Sequence, residues 1–126
     1  MTAPMLETGI DLIEVERVER AIATYGDRFL NRVFTEDELA YCRGRPHELA
    51  ARFAAKEALS KLLGVGIQHP DGVRWREIEV VSGKRGKPGV KLSGRAAQRA
   101  RRIGFKKLSL SLSHSRDHAI AMVVAQ

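Results

Sequence analysis

Between Leu49 and Leu63 runs LAARFAAKEALSKLL, in which Ala51, Ala55, Ala58, Leu59, Leu62 and Leu63 fall on one broad arc when laid out at about 100° per residue. A helix with such an arc needs a core to cover it, so this stretch constrains the fold more than any other. Its polar residues form two islands separated by Phe53. Arg52, Lys56 and Ser60 make one, and Glu57 with Lys61 makes the other, flanked by Ala50 and Ala54. Small neighbours suit close approach by another chain or a ligand. Glu57 also stands four residues before Lys61, which fits equally well an exposed helix pair worth about 0.2–0.5 kcal/mol. Gly64 and Gly66 end the helix.

The flanking segments supply what covers the arc. In MLETGIDL, Leu6, Thr8 and Ile10 alternate with Glu7, Gly9 and Asp11, which predicts a strand whose end brings Asp11 to one face. Val15, Val18, Ile22 and Tyr25 then recur at helical spacing, and Gly26 closes that helix. TEDELAYC places Thr35 three residues before Glu38, a capping-box pattern that starts a short helix. Downstream, WREIEVV, the turn SGKRGKPG and VKL predict a hairpin. A basic helix, SGRAAQRARRIG, follows. Leu108, Leu110 and Leu112 alternate with Ser109, Ser111 and Ser113, and AIAMVVA supplies a neighbouring strand across the turn SHSRDH. Helices early and antiparallel hairpins late predict an α+β fold, an antiparallel sheet with helices packed on one side, as a single domain over residues 1–126.

Several function classes drop out on composition. No apolar run approaches the roughly 20 residues of a membrane span. The N-terminal MTAPMLETGIDLIEVE lacks a basic segment ahead of an apolar one, so no signal peptide is expected. One cysteine, Cys42, forbids an internal disulfide and fits a reducing cytoplasm. The same single cysteine excludes a cysteine-rich zinc cluster, and His114 and His118 straddle a turn, out of helical register for a zinc pair. The 22 Lys+Arg against 15 Asp+Glu leave a net charge of +7, which favours an acidic partner without naming one.

Two acids stand out from apolar surroundings, Asp11 between Ile10 and Leu12 and Glu57 between Ala54 and Ala58. Asp11 is placed equally well to cap the following helix. With basic residues close by, two carboxylates would suit one magnesium and a phosphate, because magnesium takes one or two carboxylates, keeps waters and fills its remaining positions from substrate phosphates.

GIDLIEVERV, RFAAKEALSKLLGVG, GKP after an IEV strand, and LSLSHSRDHAIAMVV together resemble the holo-(acyl-carrier-protein) synthases, a family of 4′-phosphopantetheinyl transferases. The resemblance spans nearly the whole chain in the same order and spacing. It implies transfer of 4′-phosphopantetheine from coenzyme A to a serine of apo acyl carrier protein, releasing adenosine 3′,5′-bisphosphate, in support of fatty acid biosynthesis. The nucleophile then belongs to the partner, which agrees with a chain that shows no convincing nucleophile–base pair of its own. By resemblance Asp11 and Glu57 hold Mg2+, Lys61 neutralises a phosphate oxygen, and Gly86, Lys87, Pro88, His114 and Ser115 help enclose the nucleotide end of coenzyme A. Arg52 and Lys56, on the other island, could reach phosphate or cover the surface. Arg17 and Arg28 match basic positions that dock the acidic carrier. The family implies a homotrimer with active sites between subunits, Asp11 and Glu57 from one chain and nucleotide contacts partly from the next. Neither nucleic acid nor membrane is an expected partner.

Two other classes compete. In GRAAQRARRIGFKK, Arg95, Arg99, Arg101, Arg102, Lys106 and Lys107 could track a phosphate backbone, although four Phe, two Tyr and one Trp offer few stacking platforms. A non-catalytic carrier-binding domain would keep the arginines and have no need of Asp11 or Glu57.

Overall fold

The computed structural model describes residues 5–126, and the first four residues of the N-terminal segment lie outside it. The chain runs through β1 (Glu7–Glu14), α1 (Val15–Tyr25), α2 (Asp27–Val33), α3 (Glu36–Cys42), α4 (Pro46–Leu63), β2 (Ile78–Ser82), β3 (Pro88–Leu92), α5 (Gly94–Ile103), β4 (Leu108–His114) and β5 (His118–Ala125). β5 lies between β1 and β4 in an antiparallel sheet, with Asp11 opposite Ala121 and Ala121 opposite Leu112. β2 and β3 form a separate hairpin, Val80 opposite Val90. The α+β architecture agrees with the sequence reading, but the strands divide into a three-stranded sheet and this hairpin.

α4 lies across the face of the large sheet that carries Gly9, Asp11 and Ile13 from β1, Ala119, Ala121 and Val123 from β5, and Leu110 from β4. Small side chains on both surfaces let the backbones approach. A Cβ on Gly9 would collide with the carbonyl of Ala58, so only glycine permits this crossing. The opposite face of the sheet is open. Ile10 and Leu12 are 55% and 61% exposed, and Met122 on β5 is 44% exposed.

The boundaries differ from the sequence reading in ways that have causes. α4 begins at Pro46, three residues before Leu49, because proline suits the first helical position. α2 carried no clear signal of its own; Gly26, with φ 56°, ends α1 and starts α2 at once. Trp75–Glu77 is a 3-10 turn and not the start of a strand, closed by Glu77 Oε1 accepting from the Arg74 amide at 2.7 Å. Trp75 is thereby turned onto Phe53, ring centroids 4.8 Å apart. The capping box of α3 forms as predicted, Thr35 Oγ1 accepting from the Glu38 amide and Glu38 Oε1 from the Thr35 amide.

Glu38 does more than cap. Its Oε1 also accepts from Lys56 Nζ at 2.8 Å and its Oε2 from the Val80 amide at 2.9 Å. Lys56 is fully buried and donates in addition to the carbonyls of Trp75 and Ile78. One ion pair thus ties α3, α4 and the start of β2 together. The reading that Lys56 reaches phosphate or covers surface is corrected: this island of α4 faces α3 and the hairpin, which take it out of water.

Candidate active site

Asp11 does not cap a helix. β1 continues three residues past it, and the helix that follows starts after Glu14 without a side-chain cap. Because Gly9 lets α4 come close, the next residue on that face, Asp11, meets the Glu57–Lys61 side of the helix. Lys61 Nζ donates to Asp11 Oδ1 at 2.9 Å and to the Ile10 carbonyl at 3.2 Å. The exposed Glu57–Lys61 pair that the spacing allows is not formed; the lysine bridges to β1 instead.

Glu57 stands beside this bridge. Partial burial pushes its pKa up, the Asp11 charge pushes it further, and Lys61 and Arg17 pull it back. Asp11 and Glu57 are therefore two carboxylates from different elements, near enough to repel and flanked by two cations. A hard divalent cation fits that arrangement, since it relieves the repulsion and needs only one or two protein carboxylates when substrate phosphates and waters complete its shell. Among the described residues no cluster of three or more His, Cys, Asp or Glu side chains offers a fuller protein cage.

A second group gathers at the other edge of the sheet. Arg52, Gly86, Pro88 and His114 line a cavity of about 230 Å³ together with Tyr41 and Glu48. Arg52 is only 3% exposed. Its Nη1 donates to the Glu48 carbonyl at 3.1 Å, its Nη2 donates to Ser82 Oγ at 3.1 Å, and its guanidinium lies over the Tyr41 ring. Its Nε has no hydrogen-bond partner among the described residues. Its Nη1 also pairs with Glu48 Oε2 at 3.4 Å, so this cavity carries a guanidinium that is already partly neutralised by a carboxylate in the same wall. The idea that Arg52 merely covers the surface is corrected here. Across the cavity, the His114 ring lies 5.1 Å from that of His47, whose Nε2 meets the Arg116 carbonyl at 2.8 Å.

The two groups do not face one another within a chain. β1 and β4 are opposite edges with β5 between them, and Arg52 and Glu57, five residues apart, point about 140° apart around α4. The profile of the 4′-phosphopantetheinyl transferase superfamily matches residues 7–123, which takes in both groups.

The chain belongs to the 4′-phosphopantetheinyl transferase superfamily.

Relatives within the superfamily are similar along their full length. A holo-(acyl-carrier-protein) synthase of Herpetosiphon aurantiacus is 52% identical over 124 residues, covering 95% of this chain and 98% of the relative. One from Dehalococcoides mccartyi is 50% identical over 122 residues, covering 97% and 99%. The solved structure of the Helicobacter pylori holo-(acyl-carrier-protein) synthase in complex with coenzyme A has a TM-score of 0.85 at 30% identity, over 94% of this chain and 99% of that one.

Against that membership, the residues singled out in the sequence divide into four sets. Asp11, Glu57 and Lys61 converge, and Arg17 joins them closely enough for its charge to reach Glu57. Arg52, Gly86, Pro88 and His114 share the second cavity. Lys87 and Ser115 flank it in sequence but hold turns: the Lys87 carbonyl accepts from the Gly83 amide at 2.8 Å, and Ser115 Oγ accepts from the His118 amide at 3.3 Å. Arg28 lies elsewhere, with Arg32, at a pocket of about 710 Å³ whose other walls include Tyr25, Phe29, Phe53 and Trp75. Tyr41, Glu48 and His47 escaped the sequence reading. The i, i+4 spacing of Glu48 and Arg52 was a usable signal for one of them; nothing local marked the other two.

Proposed function

We propose that this protein transfers the 4′-phosphopantetheine group of coenzyme A to a serine hydroxyl of an apo acyl carrier protein, with magnesium, as a cytoplasmic homotrimer serving fatty acid biosynthesis. The observation that carries the reading is the convergence of Asp11, Glu57 and Lys61 across β1 and α4 in a chain whose full-length relatives are holo-(acyl-carrier-protein) synthases.

Asp11 and Glu57 hold the magnesium, which when bound neutralises charge on the coenzyme A pyrophosphate. Lys61, already aimed at Asp11, adds a positive charge on the same side. The serine oxygen forms a bond to the phosphorus that bears pantetheine while the bond from that phosphorus to the bridging oxygen breaks. The serine proton passes to a base, for which Glu57 and a water on the magnesium are the two candidates. Adenosine 3′,5′-bisphosphate leaves. The protein's part is positioning and charge neutralisation, as in phosphoryl transfer generally.

Arg52 and His114 receive phosphate at the nucleotide end, and Gly86 and Pro88 wall it. Their separation from Asp11 and Glu57 within one chain supports a site completed by a neighbouring subunit. The apolar outer face of the sheet, with Ile10, Leu12 and Met122 exposed, supports an assembly that buries it. The acidic carrier docks at Arg28, where apolar walls and two guanidiniums suit an amphipathic acidic helix, and at Arg17, whose charge reaches Glu57. No helix among the described residues is long and apolar enough to cross a membrane.

Incubation with coenzyme A, magnesium and apo carrier, followed by mass spectrometry of the carrier, tests the reading. The expected result is a phosphopantetheine adduct on one serine, dependent on magnesium. An unmodified carrier overturns it.

A further inference from the structure

Three concavities are linked through the 3-10 turn Trp75–Glu77. The pocket with Arg28 and Arg32 shares Arg32 with a second of about 430 Å³, which adds Arg74 and Arg76. The second is joined to a third through Glu77, which borders it and whose Oε2 accepts from the Arg95 amide at 2.7 Å. The third, about 390 Å³, is lined by Arg95, Arg99 and Arg102 of α5. Trp75, in the wall of the first, stands in the chain between Arg74 and Arg76, so the 3-10 turn links the first two concavities as Glu77 links the last two.

None of these arginines takes part in an ion pair among the described residues. The nearby acids are spent elsewhere or outnumbered. Glu77 gives its two oxygens to the backbone amides of Arg74 and Arg95, and among the described residues Asp71 is the one acid that lines the third concavity with its three arginines. Carbonyls hold two of the α5 arginines without neutralising them, Arg95 Nη1 donating to Pro70 and Arg99 Nε to Leu63, each at 3.0 Å. α5 needs none of this charge to pack, because Ala96 and Ala100 are its buried residues.

Resting on the carrier-docking reading above, we propose that the α5 arginines extend the carrier's landing surface beyond the α2 pocket, so that the band from Arg28 to Arg102 steers an acidic carrier onto the enzyme. A surface of one sign, uncompensated and partly preorganised, raises the encounter rate of an oppositely charged protein and loses that effect as salt screens it. The band starts at a pocket walled by Tyr25, Phe29, Phe53 and Trp75, where an acidic protein partner can anchor an apolar side chain; a polynucleotide could stack bases on the same rings, so oligonucleotide binding is one outcome of the test.

The test compares wild type with the triple variant Arg95→Gln/Arg99→Gln/Arg102→Gln, and with Arg102→Glu alone, whose side chain makes no hydrogen bond that folding could need. Transfer is measured against apo carrier concentration and against coenzyme A concentration, from low ionic strength to about 0.5 M salt. At low salt the triple variant loses about tenfold in kcat/KM for the carrier and Arg102→Glu about threefold, both losses shrinking at high salt. The rate at saturating carrier and the KM for coenzyme A stay at wild-type values. Carrier kinetics within twofold of wild type at low salt in a folded variant would overturn the inference, as would an equal loss toward coenzyme A. So would wild-type binding of a single-stranded oligonucleotide that the triple variant abolishes with carrier kinetics unmoved. Failure of the wild-type chain to modify the carrier at all defeats the underlying reading, and this inference with it, before any variant is compared.

Discussion

Replacing Lys56 by methionine tests how α4 is held against the elements beside it. The ammonium is fully buried and has three partners: Glu38 Oε1 and the carbonyls of Trp75 and Ile78. Burial pulls its pKa below the ordinary lysine value in spite of the Glu38 charge, so the pair contributes little net stability as a pair. Breaking it is another matter. Methionine fills the space but leaves the Glu38 carboxylate with only the Thr35 and Val80 amides, and removes a donor from two carbonyls. Loss of one partner from a buried ion pair costs about 3–5 kcal/mol, a large part of the roughly 5–15 kcal/mol that holds a domain together. With a urea dependence of about 2 kcal/mol per molar, the unfolding midpoint falls by about 2 M. Adding Glu38→Gln removes the stranded charge, and the double variant recovers about 1–2 kcal/mol relative to Lys56→Met. Both are measured by urea unfolding at one protein concentration, because assembly shifts apparent stability by mass action. A Lys56→Met midpoint within about 0.3 M of wild type, or losses that simply add in the double variant, would refute the reasoning.

Glu57→Gln and Asp11→Asn should each lower transfer by at least about 10²-fold. Above the range in which Glu57 ionises, Glu57→Gln should also melt no lower than wild type, because burial and Asp11 disfavour the carboxylate in the fold; its folded pKa is raised, so any gain in the variant fades as pH drops and the native acid protonates. A depressed melting point at pH 8 would contradict the placement. Cys42, buried and with its thiol pushed up to about 11, should resist thiol reagents at pH 8, where about one molecule in a thousand carries the thiolate, and should react fully in denaturant. Gly9→Ala should lower the melting temperature by the equivalent of about 1–3 kcal/mol and reduce transfer as well, because the added Cβ forces α4 away from β1 and separates Asp11 from Glu57 and Lys61. Thermal melts and transfer rates on the same sample check it.

Which residues of the candidate site share a face was legible in part, because they sit in local patterns that the chain alone imposes. The alternation of β1 puts Gly9 and Asp11 on one face, and helical geometry puts Glu57 one turn before Lys61. The capping box of α3 and the strands around Leu110 and Val123 follow from the same short-range rules. What no local pattern carries is which faces meet. Arg52 and Lys56 look like solvated positions on a helical wheel; they are buried because α3 and the β2–β3 hairpin close over them, and burial became affordable once Glu38, Glu48, Ser82 and backbone carbonyls came within reach.

The same division holds for the centre of the site. Residue order alone sets a carboxylate after Gly9 and an acid–base pair on α4, because side-chain direction in strands and helices is a property of a few neighbouring residues. That Lys61 bonds to Asp11 instead of Glu57, and that Arg52 and His114 share a cavity at the far edge of the sheet, was decided by the tertiary structure. Those partners come from segments about 50 or more residues apart in the chain. Their meeting depends on the crossing of α4 over the sheet, which only the packed backbones determine.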